Sequence, residues 1–252
     1  MAPRVTHLWR HPIKAVGVEP VDAVTLVPGR TMPGDRLWAV AHEAAKFNGT
    51  EDGWQPCVNF CRGAKFPELM AVRVTSDDPT GRLTLTHPRR PALEADPAVG
   101  EEAARIVEWM RPLTDPERAR PVSLYRAGDR GLTDSDFPSI SLLNRASLNA
   151  LGARLGQPLA MERFRGNVWL EGLDPWAEFE LVGREIGLGA ARLRIRERIT
   201  RCKATAANPE TGRVDADTLG ALQAGWGHRD FGIAAEVIAG GAVAIGDTAR
   251  WA

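Results

Sequence analysis

The sequence predicts an α+β fold rich in short strands, β-barrel or sandwich in character and decorated by few helices. Three observations carry that expectation. Apolar residues recur with period two in many short segments, most of those segments are bounded by Gly, Pro, Asp or Asn, and helical spacing is confined to three places. Many strands with few helices belong to a layered arrangement in which sheets make the core.

Strands are read at residues 5–9, 21–27, 36–41, 72–75 and 82–86, and later at 179–182, 192–199 and 234–238. The clearest is 192–199, where Leu193, Ile195 and Glu197 alternate with Arg192, Arg194 and Arg196. One side of that strand is expected to be buried and the other cationic. A helix over 101–110 carries Ala103, Ile106, Val107 and Met110 at helical spacing, and Pro112 ends it. A second over 145–155 has Leu148, Leu151 and Leu155 on one stripe, with Asn144 as N-cap, Gly156 just past the end and Pro158 beyond. A third, short one is expected over 217–223.

The chain has 252 residues, enough for one large β-rich domain or two modest ones. Residues 112–136, rich in Pro, Asp, Arg and Gly, read as a linker. They are the best candidate for a boundary between two halves, 1–120 and 121–252, which remain free to share one core.

Apolar and charged fractions of 44% and 25% are ordinary for a globular protein. The 32 basic and 32 acidic side chains cancel, so the bulk charge gives no reason to expect a nucleic acid or an anionic membrane as partner. The N-terminus lacks an apolar stretch of signal-peptide length, and no window reaches the roughly 18 apolar residues of a membrane helix. Three cysteines make a poor disulfide framework. A cytoplasmic protein with reduced thiols is expected.

Several motifs fail on inspection. Gly187-Leu-Gly189 has no third Gly at Arg192 and leads into a strand, so it is not a dinucleotide loop. A P-loop and a Gly-x-Ser-x-Gly elbow are both absent. Cys57 and Cys61 stand four apart, with His42 and His87 to either side, but a zinc site needs a second close pair. They are read as two small buried thiols. His7 and His11 are expected to face different ways and to be structural or solvated.

The informative stretch is Ile199-Thr-Arg201-Cys202-Lys203-Ala-Thr205-Ala-Ala-Asn208-Pro209-Glu-Thr211-Gly212. Cys202 follows the expected strand and precedes a turn, for which Asn208-Pro209 suit the first two positions and Gly212 accepts positive φ. Such a residue is well placed to face a cavity. Arg201, Lys203 and nearby Arg198 favour thiolate over thiol, the form that ligates a soft metal or attacks an electrophile. The local chemistry leaves open a structural cysteine whose flanking charges point to water.

The spacing Arg-Cys-x-x-Thr-x-x-Asn-Pro-x-Thr-Gly over 201–212 resembles the signature of the MOSC family, named for the C-terminal domain of molybdenum cofactor sulfurases. His11-Pro12-Ile13-Lys14 and Gly34-Asp35-Arg36 resemble the β-barrel domain that precedes MOSC in many members. Phe137-Pro-Ser-Ile-Ser141 with Ala146-Ser147-Leu148 resembles the entry to the MOSC domain. Arg163-Phe164-Arg165-Gly166-Asn167 is similar to the family's Arg-Phe-Arg-Pro-Asn, and Gly241-Ala-Val-Ala-Ile-Gly246-Asp247 to its closing strand. Nearly the whole chain is covered, in the expected order.

Within the family the layout is similar to the amidoxime-reducing component and its bacterial relatives. That resemblance implies a molybdenum–molybdopterin cofactor with Cys202 as thiolate ligand and catalytic residue, and reduction of small N-hydroxylated compounds. It carries cofactor contacts onto Lys14, Arg36, Ser139, Ser141, Arg165, Asn167, Arg201 and Thr205. Arg165 suits bidentate contact with phosphate, and the Asn167 amide suits the pterin edge. Asp174-Pro175-Trp176 is expected to turn beside the pocket. Pyridoxal phosphate is not expected. The chain lacks four thiolates for a plant-type iron–sulfur cluster, so electrons are expected from a separate donor protein.

Three departures stand out. Ala15 follows Lys14 where close relatives carry Ser, and Gly166 replaces Pro, which is expected to loosen the loop before Asn167. Residues 49–63 do not resemble the corresponding region of the reductase and are expected to reshape the substrate entrance. Two other functions fit the same residues: a sulfur carrier with a persulfide on Cys202, and a non-enzymatic cofactor-binding module.

Overall fold

The computed structural model describes residues 2–47, 53–128 and 130–251. These form fifteen strands and three α-helices, the α+β arrangement expected. In chain order they are β1 (Arg4–Arg10), β2 (Glu19–Val21), β3 (Ala23–Leu26), β4 (Trp38–His42), β5 (Arg73–Asp77), β6 (Arg82–His87), β7 (Arg90–Ala95), α1 (Gly100–Met110) and β8 (Pro121–Arg126). There follow β9 (Ile140–Asn144), α2 (Arg145–Leu155), β10 (Val168–Glu171), β11 (Glu185–Leu188), β12 (Ala191–Thr200), α3 (Thr218–Trp226), β13 (Asp230–Ala239), β14 (Gly241–Ala244) and β15 (Ala249–Arg250).

Eight strands make the main sheet, in the order β15-β11-β12-β13-β9-β10-β1-β2. Only the β9–β10 pairing is parallel within it; the rest run antiparallel. Period-two alternation divides its faces. Leu142, Val168 and Leu170 point into one core with Leu193, Ile195 and Ile233, while their neighbours Leu143 and Trp169 point the other way, toward Phe231, Leu148 and Leu222. α2 and α3 supply the cover on that second face. β1 and β2, from the first 120 residues, extend a sheet otherwise built from residues 140–250, and β3 pairs with β14.

A separate core gathers Val40, Val74, Leu85, Ile106 and Met110. There α1 packs against the pair β4–β8 and the meander β5-β6-β7.

The helix ends follow their sequence signals. Asn144 caps α2 by accepting from the Ala146 N–H at 2.9 Å, and Gly156 closes it at φ 70°. Asp217 caps α3 by accepting from the Gly220 N–H.

Four expectations need correction. Residues 179–182 are not a strand: Trp176 enters at φ 69° and a 3-10 turn over Ala177–Leu181 buries both Phe179 and Leu181. Four residues are too few for alternation to separate the two. Residues 112–136 are not a linker, because they contain β8 and bury Tyr125, Ala127 and Leu132 in a small aromatic core. Residues 21–27 break at Asp22, and β2 and β3 join different sheets. Glu197 does not share the buried face of Leu193 and Ile195, since the register with β13 shifts between Ile195 and Glu197 and leaves Glu197 exposed.

Candidate functional site

That irregularity in β12 turns the strand's end toward a cavity. A second shift, between Arg198 and Thr200, follows it. Glu197 and Arg198 thereby border a cavity of about 300 Å³ with Ser139, Ser141 and Asn167. An adjoining cavity of about 160 Å³ holds Cys202, Lys14 and Thr205. Arg36, Asp134, Arg165 and Arg201 border both. Every site residue named from the sequence lies on one or the other.

The cations are unevenly compensated. Arg165 takes φ 48° at the end of the 3-10 turn Met161–Phe164, and its Nη1 donates to the Gly17 carbonyl at 2.8 Å and its Nη2 to that of Val16 at 3.3 Å. Arg201 donates through Nε to the Phe231 carbonyl at 2.7 Å and through Nη1 to that of Phe164 at 2.8 Å. Carbonyls fix the two guanidiniums without cancelling their charge. Burial, helped by the neighbouring Arg36, lowers both to about 9, against the opposing pull of Asp35, Asp134 and Cys202 on Arg165 and of Cys202, Asp134 and Asp230 on Arg201. Both remain cationic at neutral pH.

Arg36, at φ 53°, is paired with Asp35 and donates to the Arg165 carbonyl at 3.0 Å. Asp35 is completely buried and accepts from the backbone N–H of His11 at 2.7 Å and from its Nδ1 at 3.1 Å. Burial alone would raise the Asp35 carboxyl, but Arg36 and His11 reverse that and hold it well below the ordinary carboxylate range. His11 is lowered to about 3 by burial and then by Arg165, so it is neutral. It is a structural residue, as the sequence suggested.

The neutral groups mostly serve each other. The Asn167 amide, which suited a pterin edge, is used inside the protein. Its Oδ1 accepts from the Ser141 N–H at 3.1 Å and hydroxyl at 2.9 Å, and its Nδ2 donates to the Trp9 carbonyl at 3.1 Å. Ser135 donates to Ser139 at 2.6 Å. Lys14, lowered by burial against the opposing pull of Asp134, donates to the Leu132 carbonyl and to Asp134, both at 2.6 Å. Asn167 is thus pinned rather than loosened. A Cβ on Gly166 would stand 2.4 Å from Leu143 Cδ1, which accounts for glycine where the family pattern has proline.

The loop bearing Cys202 is held from beneath. Thr205 donates to the Cys202 carbonyl at 3.1 Å and shares a 2.6 Å hydroxyl contact with Thr218. Buried Arg163 donates to the Ala206 carbonyl at 3.2 Å and to Asp215 at 2.6 Å. The Gly212 N–H returns to the Asn208 carbonyl at 2.8 Å with φ 69°, and a Cβ there would meet Glu68 Cα at 2.6 Å. Cys202 itself is exposed. Of its two flanking cations only Arg201 faces the cavity, while Lys203 borders a different groove.

Other residues fall elsewhere. Asp174, Pro175 and Trp176 border neither cavity; Trp176 packs 4.5 Å from Trp226 and 5.9 Å from Phe231. Cys61 is buried, its thiol pushed up to about 12 by burial, and Cys57 accepts a contact from Arg62 Nη1 at 3.4 Å. Sequence reading missed Arg62, Asp134 and the clamping role of Arg163. Arg163 stood inside a recognised motif, whereas Arg62 and Asp134 lie in stretches that carry no pattern.

These residues fit a phosphate-bearing cofactor with a soft metal. Two half-buried guanidiniums form no ion pair among the described residues, hydroxyls stand nearby, and an exposed thiol opens on the same space.

Residues 2–117 match the MOSC N-terminal beta barrel domain, and residues 129–250 match the MOSC domain. The chain belongs to the MOSC family. The mitochondrial amidoxime-reducing component 1 of Mus musculus is 24% identical to this MOSC protein over 245 residues, covering 84% of this chain and 67% of the relative. Among solved structures, the YuaD protein from Bacillus subtilis covers 99% of this chain and 94% of its own at 14% identity and a TM-score of 0.47. YiiM from Geobacillus stearothermophilus covers 45% of this chain and 53% of its own at 18% identity and a TM-score of 0.34. No helix among the described residues is long and apolar enough to cross a membrane.

Proposed function

We propose that this MOSC protein binds a pterin-type molybdenum cofactor through the thiolate of Cys202 and reduces small N-hydroxylated compounds. One observation carries the reading: exposed Cys202 opens on the same space as Arg165 and Arg201, half-buried cations that form no ion pair with a carboxylate among the described residues. The distant likeness to a relative named for amidoxime reduction supports the substrate class.

When bound, the cofactor supplies two-electron chemistry at the metal. The chain's own residues do the rest. Arg165 and Arg201 bind anionic groups of the pterin without first breaking an ion pair. Ser135 and Ser139 offer hydroxyls at the rim of the larger cavity. Thr205 and Arg163 hold the backbone that presents Cys202, and Asp35 with His11 fixes Arg36 between the cavities. Electrons come from a separate donor protein.

Metal and pterin analysis of chain produced in a cofactor-competent host tests this. About one molybdenum per chain, lost in Cys202→Ala, is expected; wild-type chain free of molybdenum from such a host would refute it. The exposure of Cys202 also favours a second reading, in which it carries a persulfide stabilised by neighbouring cations. A sulfur mass addition removable by reductant, with no pterin, would select that one.

A further inference from the structure

Arg62 borders the Cys202 cavity and is absent from the larger one, whereas Arg36, Arg165 and Arg201 border both. It therefore belongs to the Cys202 end alone. Arg62 also borders an outer groove of about 350 Å³ with Lys65, Phe66, Glu117 and Arg118. It stands between that groove, where cations outnumber the single carboxylate, and the thiol.

Its backbone is fixed. The preceding Cys61 N–H donates to the Val40 carbonyl at 2.8 Å, and the N–H groups of Lys65 and Phe66 both return to the Arg62 carbonyl at 2.9 Å. The following Gly63 lies so close to Met70 and to Ala204, two residues past Cys202, that a Cβ would stand 2.6 Å from the Met70 sulfur and 3.3 Å from Ala204 Cβ. The turn bearing Arg62 is thus locked against the turn bearing Cys202.

Its charge is not answered. Lys14 has Asp134, Arg36 has Asp35, Arg163 has Asp215, and Arg165 and Arg201 are tied to carbonyls. Among the described residues Arg62 has only the Cys57 sulfur, a weak acceptor, at 3.4 Å. A guanidinium carried on a fixed turn, with free N–H groups beside the apolar walls of Ala64, Met70 and Ala204, matches a planar anion on an organic body.

We propose that Arg62 selects the substrate, and that the substrates are organic molecules carrying a carboxylate beside the N-hydroxylated group. This rests on the reductase reading given above. Arg62 acts on the carboxylate and takes no part in the redox step.

The test uses full-length holo-protein, a chemical electron donor, benzamidoxime and its 4-carboxylate. In wild type, kcat/KM should favour the carboxylate. In Arg62→Gln the ratio of the two kcat/KM values should fall roughly tenfold to hundredfold, mainly through KM, with molybdenum per chain unchanged. Arg62→Lys should recover part of the ratio. A wild-type ratio at or below one, an unaltered ratio in Arg62→Gln, or molybdenum loss in that variant would overturn the proposal. Binding of benzoate to wild type and Arg62→Gln, followed by calorimetry, needs no metal. It should weaken about tenfold in the variant; equal affinities would overturn the role of Arg62 even if the chain held no molybdenum, an outcome that by itself sinks only the reductase reading.

Discussion

Replacing Gly166 by alanine tests how tightly the site is tied to the core. The added Cβ would lie 2.4 Å from Leu143 Cδ1, 2.9 Å from Cδ2 and 3.0 Å from Cγ. Leu143 is completely buried, and Gly166 does not adopt positive φ, so the obstacle is packing rather than backbone conformation. Overpacking of this kind costs about 1–3 kcal/mol. The stiffer unfolded chain returns about 0.4–1 kcal/mol of that. A net loss of roughly 1–2 kcal/mol corresponds to a Tm lower by about 2–8 °C at this chain length. Thermal unfolding followed by circular dichroism reads it. Leu143→Ala alone should cost about 2–5 kcal/mol, and the double variant should be more stable than the two losses predict, because the cavity left by one accepts the methyl of the other. An unchanged Tm for Gly166→Ala, or strict additivity in the double variant, would refute the packing argument.

Other outcomes follow from the same contacts. Arg163→Met removes the clamp on the Ala206 carbonyl and the ion pair to Asp215, which keeps its hydrogen bond from Asn208; with Asp215 partly exposed, a loss of about 3 kcal/mol or less is expected, together with faster alkylation of Cys202. His11 is lowered from 6.5 to about 3, so the folded state binds fewer protons than the unfolded one between those values. Stability should fall as pH drops through that window, and His11→Asn, whose amide can still donate to Asp35, should flatten the fall in acid-denaturation curves. Glu178 has the opposite sign. Burial raises its carboxyl, against hydrogen bonds from Asn144 and Ser147, so its contribution is fullest below the ordinary glutamate range and is lost as pH rises through the raised value. Glu178→Gln should reduce that alkaline-side loss in the same measurement.

Local signals in the sequence are good where one residue decides the outcome. Asn144 and Gly156 mark the ends of α2 because caps act through their own side chain or φ. The motif around Cys202 is legible because it names a ligand, a turn and a glycine in order. What is hidden depends on partners far along the chain. Glu197 obeys the alternation of 192–199 until a mismatch with β13 turns it outward, and nothing in its own neighbours announces that shift. Asn167 carries the right chemistry for a ligand, yet Ser141 and Trp9 already satisfy its amide. Arg62 is unreadable for the same reason, since its meaning lies in the carboxylates that went to other cations. Residues 112–136 show the cost of reading Pro, Asp and Gly as a linker: six of them form a strand on the partner β4.

The position of β1 has a consequence for how the chain comes off the ribosome. Thr6, in β1, donates to the carbonyl of Trp169, 163 residues later. At a synthesis rate of about 5–20 residues per second, the first strand waits on the order of ten seconds or more for its neighbour. During that interval an apolar strand end has no lasting partner except β2. Conversely, a fragment beginning near residue 121 would be made with the β10 edge bare, an invitation to pair with another chain. Expression of such a fragment should yield aggregate, and supplying residues 1–21 in trans should shift it toward solution.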